Sequence, residues 1–354
     1  MNSFSYGAPE GRAVPLSRPR KLAVLAAAVW ALAGTVQPAG DDQPSDSLAL
    51  VARARQVGDL RGEGSAPFRL QARIDATINK EKSSGEYLLL WQGRNRWREE
   101  LKLGDFQRLR VGVDGGYQQV RSIDYQQQAV FDLDKAMDAF KMLTLSPQET
   151  AGSPQIRSNG AFSEACIEIE IQNYAIRELC FDPLTGPLVH SGPPSELHSR
   201  FVSQPVMDYS EFQTFGDKQV PLSIRVERIG WLTLQIFVTA LEPAPGIDAS
   251  LFAAPAHSEF WGDCREIVEP EPAHKTAPRY PMQARKRYQQ GLVAFYARIE
   301  PDGSVSHLLT LNSPSALLEG AAREAVQTWT YKPLTCGGTP VRVETAIEVL
   351  FTLG

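Results

Sequence analysis

The sequence predicts an α+β chain: a curved antiparallel half-barrel sheet with helices, followed by a small α-β-β-α-β domain. Three observations predict it. Residues 47–255 hold many short runs of alternating apolar and polar residues, separated by turn glycines, with few helical stretches. Residues 276–354 hold a helix, an alternating hairpin, a second helix and a last alternating strand, in that order. Between them, prolines 243, 245, 255, 270, 272, 278 and 281 mark a linker over 256–275. At 354 residues the chain is too long for one ordinary domain. A formal charge of -5 gives no general reason for nucleic acid to bind.

Arg18, Arg20 and Lys21 precede the apolar run Leu22 to Ala33, which ends in Ala31-Leu32-Ala33 before Gly34. This is the layout of a secretory signal peptide over residues 1–33. A spanning helix needs roughly 20 apolar residues, so the run is short for an anchor. The expected compartment is the periplasm, with anchoring to the inner membrane by an uncleaved segment as the alternative. Residues 34–46 are small, acidic and proline-containing, as in a flexible segment.

From Ser47 an amphipathic helix is expected. Strand-like runs follow at Phe68 to Ile78, Gly85 to Gly93, Arg96 to Leu103 and Gln107 to Ser122, with turn glycines at 104, 115 and 116. Asp134 to Leu145 is expected to be helical, with Ala136, Phe140 and Leu143 on one face. More strands complete the domain. With many strands, one covering helix and no parallel crossover, the sheet must curve around its apolar side chains. Trp91, Trp97, Phe131, Phe140, Tyr209 and Phe212 are candidates for a hydrophobic cleft or for ordinary core.

Four cysteines, Cys166, Cys180, Cys264 and Cys336, suit an exported protein in which disulfides persist. Cys166 and Cys180 are equidistant from Asn173, the presumptive tip of a hairpin, so they fall opposite each other. The same register opposes Glu168 to Glu178, an unfavourable pair. Cys264 and Cys336 form the second candidate pair. No C-x-x-C occurs and the histidines are scattered, so no metal is expected.

In the last domain, Pro281 suits the first turn of a short helix ending in Arg285, Lys286 and Arg287, and Gly291 releases the chain into a strand. Val293, Phe295, Ala297 and Ile299 share one face; Pro301 to Gly303 turns; the chain returns through Val305, Leu309 and Leu311. A helix follows Ser313-Pro314, with Glu319 and Arg323 paired at i, i+4. The last strand turns Val341, Val343, Thr345, Ile347, Val349, Phe351 and Leu353 one way and Arg342, Glu344 and Glu348 the other. The connections place the first strand in the middle and the last strand at an edge. Unpaired backbone groups there can accept an added strand.

Here the chain resembles a known family. Pro278, Tyr280, Pro281 and Ala284 in P-x-Y-P-x-x-A, then Gly291, the Pro301 to Gly303 turn, Trp329, Tyr331 and Pro333 in W-x-Y-x-P, and the terminal V-L-F resemble the C-terminal domain of the TonB family over roughly 270–354. In that family the domain is periplasmic, and its last strand binds a short peptide of outer-membrane transporters by β-augmentation. What the resemblance implies here is that fold and a partner-binding edge at Val343, Glu344, Thr345, Ala346, Ile347, Glu348 and Val349, with Tyr280 and Pro281. Residues 47–255 resemble, at fold level, the periplasmic lipoprotein-carrier proteins of the Lol type, whose half-barrel holds acyl chains. Unlike the energy-transducing family members, the run Leu22 to Ala33 has no Ser or His, and a folded domain replaces the long spacer.

Enzyme signatures are missing: no G-x-S-x-G, no G-x-x-x-x-G-K-[ST] and no H-E-x-x-H. Asp132 and Asp134 read as first-turn charges on a helix dipole. No catalytic residue or cofactor is expected. Two function classes remain: an exported protein whose TonB-like edge docks an envelope partner's peptide, and a carrier of a lipid or acyl chain in the half-barrel. An interior plugged by its own side chains favours the first, an apolar cavity of several hundred cubic ångströms the second.

Overall fold

The computed structural model describes residues 47–353, apart from 63, 139–142, 146–148, 160–161, 172–173, 195–203, 229–230, 263–269 and 337. The first 46 residues, with the signal-peptide reading, lie outside the described part, as does Phe140. No described helix is long and apolar enough to cross a membrane.

Helix α1 (Ser47–Gly58) comes first. Strands β1 (Phe68–Ile78), β2 (Glu81–Gly93), β3 (Arg96–Leu103), β4 (Phe106–Val113) and β5 (Gly116–Arg121) then run as an antiparallel meander. Helix α2 (Gln128–Met137) follows. The chain continues through β6 (Glu149–Ala151), β7 (Gln155–Asn159), β8 (Phe162–Ile171), β9 (Tyr174–Phe181), β10 (Leu188–Gly192), β11 (Val206–Phe215), β12 (Lys218–Arg228) and β13 (Leu232–Pro243). β13 returns to pair with β1, and β14 (Glu259–Gly262) pairs with β5. The result is one open 14-stranded sheet, ordered β14-β5-β4-β3-β2-β1-β13-β12-β11-β10-β9-β8-β6 with β7 also on β8.

The sheet curves because both helices lie in its concave side. Leu50, Val51 and Ala54 of α1 and Val130, Leu133 and Ala136 of α2 share one core with Phe68, Ile74, Phe106, Ile167, Phe181 and Ile236. Each large side chain so buried stabilises by about 1.5–3 kcal/mol. α2 begins earlier than the sequence pattern suggests, at Gln128, and is capped at Asp138. Tertiary packing sets that start: Val130, Leu133 and Ala136 lie at i, i+3 and i+6, so the turn at 128–131 buries apolar surface as well.

Strands β8 and β9 pair Cys166 with Cys180, and the two sulfurs are bonded. The same register sets Glu168 opposite Glu178. Arg157 on β7 removes the conflict by donating from its two terminal guanidinium nitrogens to the two carboxylate oxygens of Glu178, at 2.7 and 2.5 Å. The side chains of Cys264 and Cys336 lie outside the described part.

The C-terminal domain starts with β15 (Pro272–His274), a helical turn (Met282–Lys286), β16 (Gly291–Ile299) and β17 (Val305–Asn312). Helix α3 (Ala316–Val326), β18 (Thr330–Tyr331), β19 (Thr335–Cys336), β20 (Thr339–Pro340) and β21 (Val343–Phe351) complete it. Its sheet is ordered β17-β16-β21. Ser315 caps α3 by accepting from the Leu318 amide, and Arg323 reaches Glu319 at 3.1 Å. Gly303 is required in the hairpin: φ is +84°, and a Cβ there would lie 1.9 Å from the Tyr331 carbonyl oxygen. Val293, Phe295, Ala297 and Ile299 pack with Leu318, Ala322 and Val326 of α3. The opposite face of β16, with Ala294, Tyr296 and Arg298, is buried too.

Candidate functional site: the edge strand and its junction with the half-barrel

β21 pairs with β16 without a register shift, from Gly291 opposite Phe351 to Ile299 opposite Val343. No other described strand pairs with it. Which of its amides face outward follows from alternation along an antiparallel pair. Leu292 turns its carbonyl to Asn312 of β17, and just past the strand the Glu300 amide donates to Ser304. Even-numbered residues of β16 therefore face β17 and odd-numbered ones face β21. The register then turns the backbone groups of Val343, Thr345, Ile347, Val349 and Phe351 toward β16. Those of Glu344, Ala346, Glu348 and Leu350 point away from the sheet.

Two of these residues, Glu344 and Glu348, point their side chains at the half-barrel, whereas Leu350 is exposed. Glu344 accepts from Arg121 of β5 at 2.5 Å, and the Tyr296 hydroxyl donates to it as well. Burial, then the Glu344 charge, pushes the Tyr296 hydroxyl up to about 12. Arg298 reaches that hydroxyl at 2.8 Å and Asp124 at 3.2 Å. Tyr125 and Phe131 close the cluster with rings 6.2 and 6.3 Å from that of Tyr296. Further along, Glu348 accepts from Arg228 of β12 at 2.7 Å. Arg228 also donates to both oxygens of Asp132 on α2, at 2.5 and 2.8 Å. Burial opposes the charge on Arg228, but the two carboxylates prevail and hold the guanidinium above its ordinary range. Glu348 shares that cation with Asp132, and burial keeps its carboxyl above the usual range. The face that carries Glu344 and Glu348, opposite the apolar one, is thus an internal ion-paired junction.

Tyr280 stands at the end of β21, its ring 5.3 Å from that of Phe351 in an edge contact, and its hydroxyl donates to the Gln289 carbonyl. Pro281 precedes the helical turn at its N-cap. Of the two, Tyr280 borders the edge at its C-terminal end. Ile347 and Val349 point into the domain core.

Charge also closes the interior of the half-barrel. Arg108, fully buried on β4, binds Glu99 at 2.7 Å and Asp134 at 2.6 Å. Tyr87 donates to Glu99 at 3.1 Å, and burial, then Glu99, holds its hydroxyl well above the ordinary value. Arg110 joins Asp134 at 3.2 Å. A cavity of about 230 Å³ remains at the junction, lined by Glu99, Arg110, Asp134 and Glu344 together with Trp97 and Trp261. Of the aromatic cleft candidates, Trp91, Trp97 and Tyr209 are core residues, Phe212 packs against that core and Phe131 meets Tyr296. Asp132 and Asp134, read from the sequence as dipole charges, lie mid-helix and anchor these two networks.

Residues 276–353 match the family model for the Gram-negative bacterial TonB protein C-terminal. Solved structures similar to this chain include a LolA superfamily protein from Nitrosomonas europaea, 11% identical with a TM-score of 0.34 over 58% of this chain and 96% of that one. Another is a DUF1329 family protein from Desulfovibrio piger, 11% identical with a TM-score of 0.40 over 58% and 95%. No curated protein matches the chain.

The sequence reading missed Glu99, Arg108 and Arg228. Their signal was phase: Glu99 alternates in step with Trp97 and Leu101, Arg108 with Phe106, and Arg228 with Ile224 and Val226. A charge in step with an apolar face is one that the fold must pair.

Proposed function

We propose that this chain is a periplasmic envelope protein whose C-terminal domain binds a short extended segment of an envelope partner, of the transporter type, by adding it as a strand to β21. One observation carries the reading: a nine-residue strand that, among the described residues, has a neighbour on one side only, and whose outward groups at Glu344, Ala346, Glu348 and Leu350 form a regular row. The family match over 276–353 supports it. The run Leu22 to Ala33 with its Ala-x-Ala end supports export. The half-barrel then acts as the body on which the edge is mounted. Carriage of an acyl chain is the second reading, and the charged, side-chain-filled interior favours it less.

Proline at an outward amide tests the edge, since it removes one donor from the ladder. Ala346→Pro is the clean choice, because Glu348→Pro would also strip Arg228 of a partner. Capture of the partner from an envelope fraction should be lost in Ala346→Pro while circular dichroism and melting match the parent. A folded variant that captures the partner with undiminished affinity refutes strand addition at this edge.

A further inference from the structure

We infer that the knob from Arg279 to Tyr288 docks on an anionic lipid surface. The first ground is charge. Between Glu271 and Glu300 the chain has no acidic residue, yet it carries Lys275, Arg279, Arg285, Lys286 and Arg287 at its surface, in a protein of net charge -5; Arg298, in the same span, is buried against Asp124. The two bounding acids are taken, Glu271 by Lys332 at 2.6 Å and Glu300 by Arg342 at 2.8 Å. Arg279, Arg285, Lys286 and Arg287 are all exposed, and none forms an ion pair with a described residue.

The second ground is the shape and chemistry of the knob. Ala284 is fully buried and fixes the inner side of the helical turn. Met282 and Lys286, at i and i+4, therefore point outward together, with Arg285 and Arg287 on the flanks. Met282 is 69% exposed and Tyr288 81%. Tyr288 has φ of +53°, a left-handed conformation that a bulky residue rarely adopts. The Gln289 amide, donating to the Ala284 carbonyl at 3.0 Å, and the Tyr280 hydroxyl, donating to the Gln289 carbonyl, hold the next residue and so keep that ring in solvent. The knob thus presents exposed apolar tips among cations that have no acidic partner among the described residues, of which Arg285 also lies over the Tyr280 ring at 5.7 Å. It matches a flat anionic interface, where basic side chains meet headgroups and Tyr and Met enter the boundary layer. This inference does not depend on strand addition at β21.

The test is sedimentation of the exported protein with vesicles of phosphatidylcholine alone and of equimolar phosphatidylcholine and phosphatidylglycerol. The parent should bind the anionic vesicles selectively and lose binding as salt is raised. Lys286→Gln/Arg287→Gln should weaken partitioning roughly 25-fold, about fivefold for each charge removed. Tyr288→Ser, with no change of charge, should weaken it further in the double variant. Any contribution of the N-terminal segment is common to parent and variants, and matched melting curves establish that the variants fold. Equal binding to both vesicle types overturns the inference, as does a double variant that partitions like the parent. An acidic protein as the true partner would leave every vesicle arm flat, which overturns it too.

Discussion

Replacing Arg228 with Met tests the junction at its most buried point. The Arg228 and Asp132 side chains are 2% and 0% exposed, and the guanidinium holds Asp132 at 2.5 and 2.8 Å while reaching Glu348 at 2.7 Å. Methionine fills much of the same volume but leaves two carboxylates facing each other. Asp132 then keeps the bond it accepts from Gln128, at 3.3 Å. Breaking a buried pair from one side costs about 3–5 kcal/mol. With a urea slope of about 3 kcal/mol/M, the unfolding midpoint should fall by about 1–1.7 M. The triple variant Arg228→Met/Asp132→Leu/Glu348→Gln should recover most of that loss, because replacing a whole buried ion cluster by apolar groups is often close to neutral. Urea unfolding followed by tryptophan fluorescence measures both. A midpoint unchanged in Arg228→Met, or a triple variant no better than the single one, refutes the claim that these charges form one mutually dependent cluster.

Glu348 should make stability fall as pH rises: burial, then Asp132, raises its carboxyl, so the folded chain keeps a proton that the unfolded chain has already lost. The stability is fully present below the ordinary Glu value of about 4.3 and is lost up to the raised one; melts across that range should be flatter in Glu348→Gln, and parallel curves would count against the assignment. Reducing the Cys166–Cys180 bond, which closes a loop with a sequence separation of 14, should cost about 3 kcal/mol by the chain-entropy estimate. Urea midpoints with and without reductant, and in Cys166→Ser/Cys180→Ser, check this; identical midpoints would show the bond to be absent.

Local pattern made much of this fold legible. Counting outward from Asn173 gave the Cys166–Cys180 register, which holds from Ala165 opposite Phe181 to Ile169 opposite Arg177; nearer the turn the pairing slips by one residue, to Glu170 opposite Ala175 and Ile171 opposite Tyr174, which an even count cannot foresee. The connections of the last domain gave the order β17-β16-β21, because a hairpin, a crossing helix and a returning strand leave few arrangements. What sequence did not show is what covers a polar face. Glu344 and Glu348 alternate with Val343, Ile347 and Val349 as solvent-facing residues would. Only the fold brings Arg121 and Arg228 over them, from more than a hundred residues away. In the same way Arg157 resolves the Glu168–Glu178 conflict from a third strand, which a two-strand register cannot reveal.

The junction has a consequence for the proposed edge. In a free-standing domain the last strand would be held on one side only, and an edge strand of that kind frays, so a partner would have to order it on binding. Here Glu344 and Glu348 fix two side chains of β21 to β5 and β12, and Tyr296 beneath them is wedged between Tyr125 and Phe131. Each clamped residue is one whose main-chain groups point outward, by the alternation that β16 imposes. The clamps therefore hold still the same groups that an added strand would meet. Ordering that would otherwise be charged against binding is already complete in the folded chain, so an edge with few side-chain contacts of its own can bind through its backbone. On this reading the half-barrel serves the C-terminal domain by stiffening it, and its charged interior anchors α2, the helix that carries Asp132 to the clamp.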